Sequence, residues 1–214
     1  MFILAWYAAC VNGHTRNTGG GQPQTAASSV PFRVLFVCLG NICRSPAAEM
    51  LFSALLAQRG LQHRFCCDSC GVAAYHVGQS PDSRMLAALR RAGIPYNGHR
   101  ARQFSPADFD AFDLIIPQDE ENRSDVLFQA RSAADAAKVV PMSRWFPPEC
   151  GLAEVPDPYY GGAHGFDRVV NLLRASCTAL LDDLLLRCRN GCQDQRCRAV
   201  QSHCRFHPPC CRQG

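Results

Sequence analysis

The sequence feature that most constrains the fold is a short apolar run that leads through a tight loop directly into a helix. Residues 34–37 read Val-Leu-Phe-Val, which is typical of a strand buried inside a parallel sheet. A helix start follows at Ser45-Pro46, because proline is favoured in the first helical turn. Parallel sheets bind ligands at the carboxyl ends of their strands, so we expect a ligand site at the intervening loop.

The loop from Cys38 to Arg44 has the length of an anion cradle. A loop of this size before a helix can direct its backbone N–H groups at one centre, and the helix dipole strengthens the attraction. Gly40 and Asn41 suit such a loop, since both residue types tolerate a left-handed backbone. The N–H dipoles and the Arg44 guanidinium favour the thiolate form of Cys38. A thiolate beneath a bound oxyanion indicates nucleophilic attack on phosphorus.

Strands and helices alternate along the rest of the chain. Further strands are predicted at residues 65–72, 112–116 and 138–141. Helices are predicted after Ser80-Pro81-Asp82, after Ser105-Pro106, over residues 119–130 and over residues 166–187. This alternation predicts a three-layer, doubly wound α/β fold: about four parallel strands with helices on both faces, and the phosphate loop after the first strand.

Charge and composition exclude several classes of protein. The formal net charge of +4 is uneven, because residues 187–214 alone carry six arginines and one aspartate. The rest of the chain is therefore close to neutral, which gives no electrostatic case for nucleic-acid binding. Fourteen cysteines are many, but a disulfide framework is typical of shorter secreted chains. We expect a cytoplasmic protein, where a catalytic thiolate stays reduced.

Both ends of the chain differ from its middle. Residues 1–31 combine an apolar stretch too short to span a bilayer with a linker-like run, and we expect a flexible extension and no membrane partner. The lack of any acidic residue before Glu49 leaves an organellar transit peptide open. Residues 32–188 form the expected catalytic domain, and residues 189–214 form a Cys/Arg-rich tail that we expect to be disordered.

The segment from Cys38 to Pro46 reads CLGNICRSP and closely resembles the signature loop of the low-molecular-weight protein tyrosine phosphatases. Further matching segments occur in the order that the family shows, and together they cover roughly residues 32–188: Asp68-Ser69, Gly93-Ile94-Pro95, His99-Arg100-Ala101-Arg102-Gln103 and Asp157-Pro158-Tyr159-Tyr160. The resemblance implies a phosphatase that acts on phosphotyrosine proteins or small aryl phosphates and needs neither cofactor nor metal.

The resemblance also implies roles for individual residues. Cys38 would be the nucleophile that forms a phosphocysteine intermediate, and Arg44 would bind the phosphoryl oxygens with its planar fork. Asp157 would protonate the leaving phenolate and then act as the base on water. The substrate-binding residues are implied to be Leu39, Gly40, Asn41, Ile42, Cys43, Ser45, Tyr75, Tyr159 and Tyr160.

Supporting and redox roles follow from the same resemblance. Ser69 and His99 match a polar network that supports the loop in the family, although His99 could equally be an ordinary structural histidine. Tyr159 and Tyr160 could likewise be packing residues. In the family the cysteine next to Arg44 can form a reversible disulfide with the nucleophile, so Cys43 is predicted to be a redox residue. A small residue that merely fills the loop is the alternative.

Two departures from the family pattern affect structure more than chemistry. Pro117 puts the last hydrogen bond of the third strand in doubt, and the segment Tyr96-Asn97-Gly98 is slightly long, which makes the placement of His99 less secure.

Three rival functions remain from sequence alone. Protein-arginine phosphatases of the family typically carry threonine where Ile42 stands, so Ile42 favours phosphotyrosine. Arsenate reductases on this fold need redox cysteines after the third strand, and no cysteine occurs between Cys70 and Cys150. A zinc-binding or interaction module in the tail is the third possibility, but the spacings of its cysteines and histidines match no regular finger. The residues concerned are Cys188, Cys192, Cys197, His203, Cys204, His207 and Cys210.

Overall fold

The computed structural model describes residues 30–159 and 162–189. Its strands are β1 (Phe32–Cys38), β2 (Phe65–Gly71) and β3 (Leu114–Pro117). Its α-helices are α1 (Arg44–Gln58), α2 (Ser83–Arg91), α3 (Asp108–Ala111), α4 (Glu120–Phe128), α5 (Ala133–Ala136) and α6 (Ala163–Arg189). Two short 3-10 helices cover Met142–Trp145 and Pro148–Cys150.

The three strands form one parallel sheet with β1 at its centre, in the order β2-β1-β3. The predicted doubly wound α/β fold is confirmed, but the expected fourth strand at residues 138–141 is reduced to a single bridge between Ile115 and Val139. Pro141 explains the short pairing, because it has no N–H to continue a ladder and a 3-10 helix begins directly after it.

Side chains of β1 alternate between the two faces of the sheet, as strand geometry requires. Val34 and Phe36 enter a large core with α1, α2 and α6, and Leu35 and Val37 enter a smaller core with α3 and α4. All four side chains are fully buried. The continuous apolar run in the sequence therefore corresponds to a strand that is covered on both faces.

Polar side chains begin two of the helices that surround the site. Asp82 precedes α2 and accepts a hydrogen bond from the backbone N–H of Arg84, and Asp119 precedes α4 and accepts one from Asn122. Each bond satisfies an N–H group that the first helical turn leaves without a partner. The long helix α6 packs against α1 through the apolar face predicted for residues 166–187. Within the described ranges, no helix combines the length and the apolar character needed to cross a bilayer.

Pro117 ends β3 without breaking its pairing with β1. It stands opposite Val37 in the register, and the N–H of the next residue, Gln118, donates to the carbonyl oxygen of Val37 at 3.0 Å. The hydrogen bond that the sequence put in doubt is thus made one residue later. As a result, β3 and the start of α4 remain beside the carboxyl end of β1, where the predicted ligand site lies.

Candidate active site

The phosphate loop, residues 38–45, lies between the end of β1 and the first turn of α1. The segment after β2 holds it in place, because Val72 and Ala73 donate backbone hydrogen bonds to the carbonyl oxygens of Cys38 and Leu39, each at 2.9 Å. The N–H of a trans peptide points away from its C=O. Tying these two carbonyls to the β2 side therefore turns the following N–H groups to the opposite side of the loop, as an anion cradle requires.

Asn41 is the polar centre of the loop. It takes a left-handed backbone conformation, with φ of 56°, as the sequence predicted. Its side-chain amide is fully buried and donates to the hydroxyls of Ser45 and Ser69, each at 2.9 Å. The amide oxygen accepts a hydrogen bond from the backbone of Arg102 at 2.9 Å. Ser45 of the loop itself and two distant segments thereby hold one strained residue of the loop.

The expectation for Gly40 requires correction. Among the described glycines with positive φ, Gly40 does not occur, so left-handed backbone is not what calls for glycine here. Instead, a Cβ on Gly40 would come within 2.8 Å of Cδ2 of His76. The side chain of His76 thus packs directly over the loop, and glycine at position 40 leaves room for this close approach.

Cys38 and Ser45 contact each other at the base of the loop. The Cys38 sulfur lies 3.0 Å from the Ser45 hydroxyl oxygen, and both side chains are buried. The same hydroxyl lies 3.1 Å from the carbonyl oxygen of Cys70. A hydroxyl carries one hydrogen, so Ser45 can donate to Cys70 when the sulfur is neutral or bonded and turn to the sulfur when it is a thiolate.

Arg44 extends into the site between two carboxylates. One terminal nitrogen contacts Asp119, and the other lies 3.1 Å from Oδ2 of Asp157. The carbonyl oxygen of Val155 lies 3.3 Å from the first nitrogen. Burial alone would lower the pKa of Arg44, but the charges of Cys38, Asp157 and Asp119 raise it above its ordinary value. The guanidinium is therefore permanently charged and held at the mouth of the loop.

A buried pair, Glu49 and His99, lies behind the loop. Nδ1 of His99 is 3.1 Å from Oε2 of Glu49, and Nε2 is 3.3 Å from the carbonyl oxygen of Asn41. Both ring nitrogens therefore face oxygen atoms, one of a carboxyl group and one of a backbone carbonyl. Ser69 and Asn97 also donate to Glu49, at 2.7 and 3.0 Å. The network thus joins α1, β2 and the segment before His99 to the loop.

Cys43 lies inside the loop, directly before α1, and is only 5% exposed. Burial raises the pKa of its thiol far above the ordinary value, and the nearby groups Asp82, Cys38 and Asp157 add to the effect. Cys43 is therefore a neutral thiol, unlike the thiolate required of the nucleophile.

The loop opens into a cleft of about 270 Å³. Tyr75 and Tyr159 stand at its walls, 78% and 39% exposed. Tyr160 lies outside the described residues. The structure brings these predicted and unpredicted residues to the same cleft: Cys38, Leu39, Gly40, Ile42, Cys43, Arg44, Tyr75, His76, Asp157 and Tyr159.

Three residues of the site have roles that the sequence did not indicate. Asp119 was matched to the family pattern at a predicted helix start but given no role, Glu49 lies within an apolar helix, and His76 follows Tyr75 in a loop. Of the three, only Glu49 could have been noticed from local sequence. A carboxylate in an apolar helix requires hydrogen-bonding partners if the helix is buried, which indicates a buried polar network. The proposed zinc ligands of the tail lie outside the described residues, apart from Cys188, which is buried on α6.

Comparison with known proteins identifies the family. A model of the family described as "Low molecular weight phosphotyrosine protein phosphatase" matches residues 33–189. The chain belongs to this family. The low molecular weight protein-tyrosine-phosphatase YfkJ of Bacillus subtilis is 43% identical over 150 residues, which span 69% of this chain and 92% of YfkJ.

Solved structures of the family agree with the fold. A protein tyrosine phosphatase from Entamoeba histolytica, with Hepes in its active site, superposes with a TM-score of 0.68 and 36% identity, covering 75% of this chain and 98% of that one. A drosophila arginine phosphatase superposes with a TM-score of 0.63 and 30% identity, covering 70% of this chain and 96% of that one. The chain is therefore similar to solved structures named for different phosphorylated residues.

Proposed function

We propose that this protein is a protein tyrosine phosphatase that hydrolyses phosphotyrosine and small aryl phosphates through a phosphocysteine intermediate. One observation carries the proposal: the nucleophile candidate, the phosphate-binding guanidinium and the acid candidate line one cleft, with Nη2 of Arg44 only 3.1 Å from Oδ2 of Asp157. Their separation in sequence means that only the fold brings them together. The family assignment supports the same reaction.

In the first step, the Cys38 thiolate attacks phosphorus and the bond from phosphorus to the phenolic oxygen breaks. Arg44 and the backbone N–H groups of residues 39–44 bind the phosphoryl oxygens, because such a transfer demands mainly positioning and charge stabilisation. Asp157 gives its proton to the departing phenolate, which is a poor leaving group without it. The products are phosphocysteine and the free phenol.

The ion pairs of Arg44 with Asp119 and Asp157 determine how the site accommodates the negative charge of a phosphate group. In the free site one guanidinium faces two carboxylates, so a phosphate dianion meets a net negative neighbourhood. A dianion this close favours the acid form of a neighbouring carboxyl group. Of the two carboxyl groups, Asp157 lines the cleft, where a leaving group can reach it, and Asp119 does not. We infer that the substrate binds to the form in which Asp157 carries the proton that the leaving group needs.

In the second step, water attacks phosphocysteine while Asp157 accepts a proton from it, and the sulfur–phosphorus bond breaks. The Ser45 hydroxyl, 3.0 Å from the sulfur, stabilises the departing thiolate. Inorganic phosphate then leaves the loop, which the hydrogen bonds of Asn41 with Ser69 and His99 support from behind.

Phosphotyrosine is the substrate that the cleft favours. Tyr75 and Tyr159 can stack on a substrate ring, and Ile42 lines the cleft with an apolar side chain. Phosphoarginine is the second candidate, because a relative named an arginine phosphatase shares the fold at 30% identity. The Ile42 side chain argues against it, since the family's arginine phosphatases typically have threonine at this position.

Phosphate release from phosphotyrosine, phosphoarginine and phosphoserine peptides tests the proposal. The parent protein should act on phosphotyrosine in preference to the other two, and Cys38→Ser should have no activity. Release that persists in Cys38→Ser would refute the mechanism. Preference for phosphoarginine would refute the substrate assignment alone.

We further propose that Cys43 protects the nucleophile from oxidation. Peroxide converts the Cys38 thiolate to a sulfenic acid, and the Cys43 sulfur displaces water from it to form a disulfide, which an external thiol reduces. Mild peroxide should inactivate the parent reversibly, whereas Cys43→Ser should recover less activity on addition of thiol. Equal inactivation and equal recovery in the two proteins would refute the role. A nucleophile of this kind also supports a cytoplasmic location, where thiols stay reduced.

A further inference from the structure

Arg84 lies beside the active-site cleft, in the first turn of α2, and its orientation is fixed by Asp82. Nε donates to Oδ1 of Asp82 at 3.0 Å, and Nη2 donates to Oδ2 at 2.7 Å. Two parallel bonds hold a planar guanidinium in one orientation, which a single contact does not. The hydrogen bonds from Arg84 lower the pKa of Asp82, so the pair stays ionised near neutral pH.

The same guanidinium contacts two aromatic rings. Its central carbon lies 5.3 Å from the ring centre of Tyr159 and 4.7 Å from that of Phe166. Phe166 is fully buried in α6 and cannot move independently, whereas Tyr159 is half-exposed on the loop that carries Asp157. Arg84 thus connects the exposed Tyr159 ring to the buried Phe166 ring through two cation–π contacts.

These contacts continue at both ends to the reacting groups. The backbone N–H of Asp82 donates to the carbonyl oxygen of Ile42 in the phosphate loop at 2.8 Å. The backbone N–H of Tyr159 donates to Oδ1 of Asp157 at 3.0 Å. Arg84 therefore lies midway between the loop that binds phosphate and the loop that supplies the acid, without itself lining the cleft.

We propose that Arg84 is a positioning residue that holds the Tyr159 ring at the cleft wall and thereby favours substrates with an aromatic ring. This inference rests on the phosphatase function proposed above. Holding a side chain in its bound orientation removes the entropy that binding would otherwise cost. The gain applies to ligands that contact the ring and is absent for inorganic phosphate, which contacts only the loop.

The test compares a ligand that has a ring with one that has none. Arg84→Met should raise KM for a phosphotyrosine peptide about fivefold, the loss expected for one exposed cation–π contact, with little change in kcat. The inhibition constant of inorganic phosphate should stay within about twofold of the parent value. Arg91→Met is the matched control: Arg91 lies on the same helix and pairs with Asp167 of α6, away from the cleft.

Arg84→Lys separates positioning from simple charge attraction, and it serves in place of Arg84→Met if that variant fails to fold. Lysine keeps the charge but lacks the planar fork, so KM for the peptide should remain raised. Weaker inhibition by phosphate in Arg84→Met, restored in Arg84→Lys, would overturn the proposal in favour of charge attraction.

A double variant tests the route through Tyr159. In a Tyr159→Leu background, Arg84→Met should add no further increase in KM, because the ring it positions is gone. An equal, additive increase would overturn the proposal. If Arg84→Met matches the Arg91→Met control while hydrolysis still depends on Cys38, this inference fails and the proposed phosphatase function stands.

Discussion

Gly71, the last residue of β2, lies directly against the carbonyl of Leu39 in the phosphate loop. A Cβ on Gly71 would lie 2.6 Å from that oxygen and 2.9 Å from the backbone nitrogen of Asn41. Both contacts are with backbone atoms, so no side-chain rotation can relieve them. The backbone of the phosphate loop can therefore occupy this position only because residue 71, thirty positions after Asn41, has no side chain.

Gly71→Ala should consequently displace the phosphate loop. We expect kcat/KM for an aryl phosphate to fall about 100-fold, because misplacing catalytic groups by an ångström has effects of this size. Gly60→Ala is the matched control: Gly60 has positive φ but open space around it, so it should lose about 1 kcal/mol of stability and keep its activity. Full activity in Gly71→Ala would show that the loop tolerates the shift.

Asp157→Asn should slow the reaction according to the leaving group. The kcat/KM value for phenyl phosphate should fall about 100-fold, whereas the value for a dinitrophenyl phosphate should change little, since that leaving group needs no proton. Asp119→Asn removes the other carboxylate that contacts Arg44 and should reduce both values equally. If Asp119→Asn and Asp157→Asn show the same dependence on the leaving group, Asp157 is not the specific general acid.

Glu49→Gln should destabilise the fold although Glu49 lies outside the cleft. The substitution leaves His99 facing a neutral amide inside the protein, where both side chains are at most 1% exposed. Breaking a buried pair in this way costs about 3 kcal/mol, which urea unfolding at pH 7 would measure. Glu120→Gln breaks the exposed pair with Arg123 and should cost less than about 1 kcal/mol. Similar small losses would mean that the buried pair is not ionic.

The ion pairs of Arg131 with Asp110 and Asp135 should make the free energy of unfolding depend on pH. Its hydrogen bonds to Asp110 and Asp135 lower the pKa of both carboxyl groups below their ordinary value of 3.8. A carboxyl group whose pKa is lower in the folded than in the unfolded protein stabilises the fold at pH values above its unfolded-state pKa. This stabilisation is lost as the pH falls through its folded-state pKa. Arg131→Met should therefore be less stable than the parent at pH 7, and the two should converge below pH 3.8.

Urea unfolding of both proteins at several pH values measures that convergence. The double variant Asp110→Asn/Asp135→Asn removes the same two titrating groups and should lack the same pH-dependent contribution. A difference between parent and Arg131→Met that stays constant at low pH would place the effect in packing against Phe109, whose ring lies 5.9 Å from the guanidinium.

The parts of the site that lie close together in sequence were predictable. The strand, the loop and the helix start between residues 34 and 46 could be assigned from local sequence, because turn chemistry and the helix dipole act within a few residues. The left-handed Asn41 follows from the same local reasoning. Resemblance to the family supplied Asp157, which lies more than a hundred residues downstream and which no spacing rule connects to Cys38.

The remaining parts depend on contacts between distant segments. Glu49 meets His99 across fifty residues, and Arg44 meets Asp119 across seventy-five, so neither pair leaves a periodic pattern in the sequence. What distinguishes position 40 is the close approach of the His76 ring from another segment, not the backbone conformation of Gly40 itself. The length of the fourth strand was overestimated. An apolar run indicates that a segment is buried, but it does not show how many of its residues pair with a neighbouring strand.

The position of Arg44 between Asp119 and Asp157 bears on the choice of inhibitors. While Asp157 is ionised, an anionic compound that enters the cleft must share the guanidinium with the Asp157 carboxylate, which repels it. A phosphate mimic with an N–H group facing Asp157 would convert that repulsion into a hydrogen bond, as a phosphoramidate can and a simple phosphonate cannot. Singly charged compounds with such a donor are therefore better starting points for medicinal chemistry at this cleft than more highly charged ones.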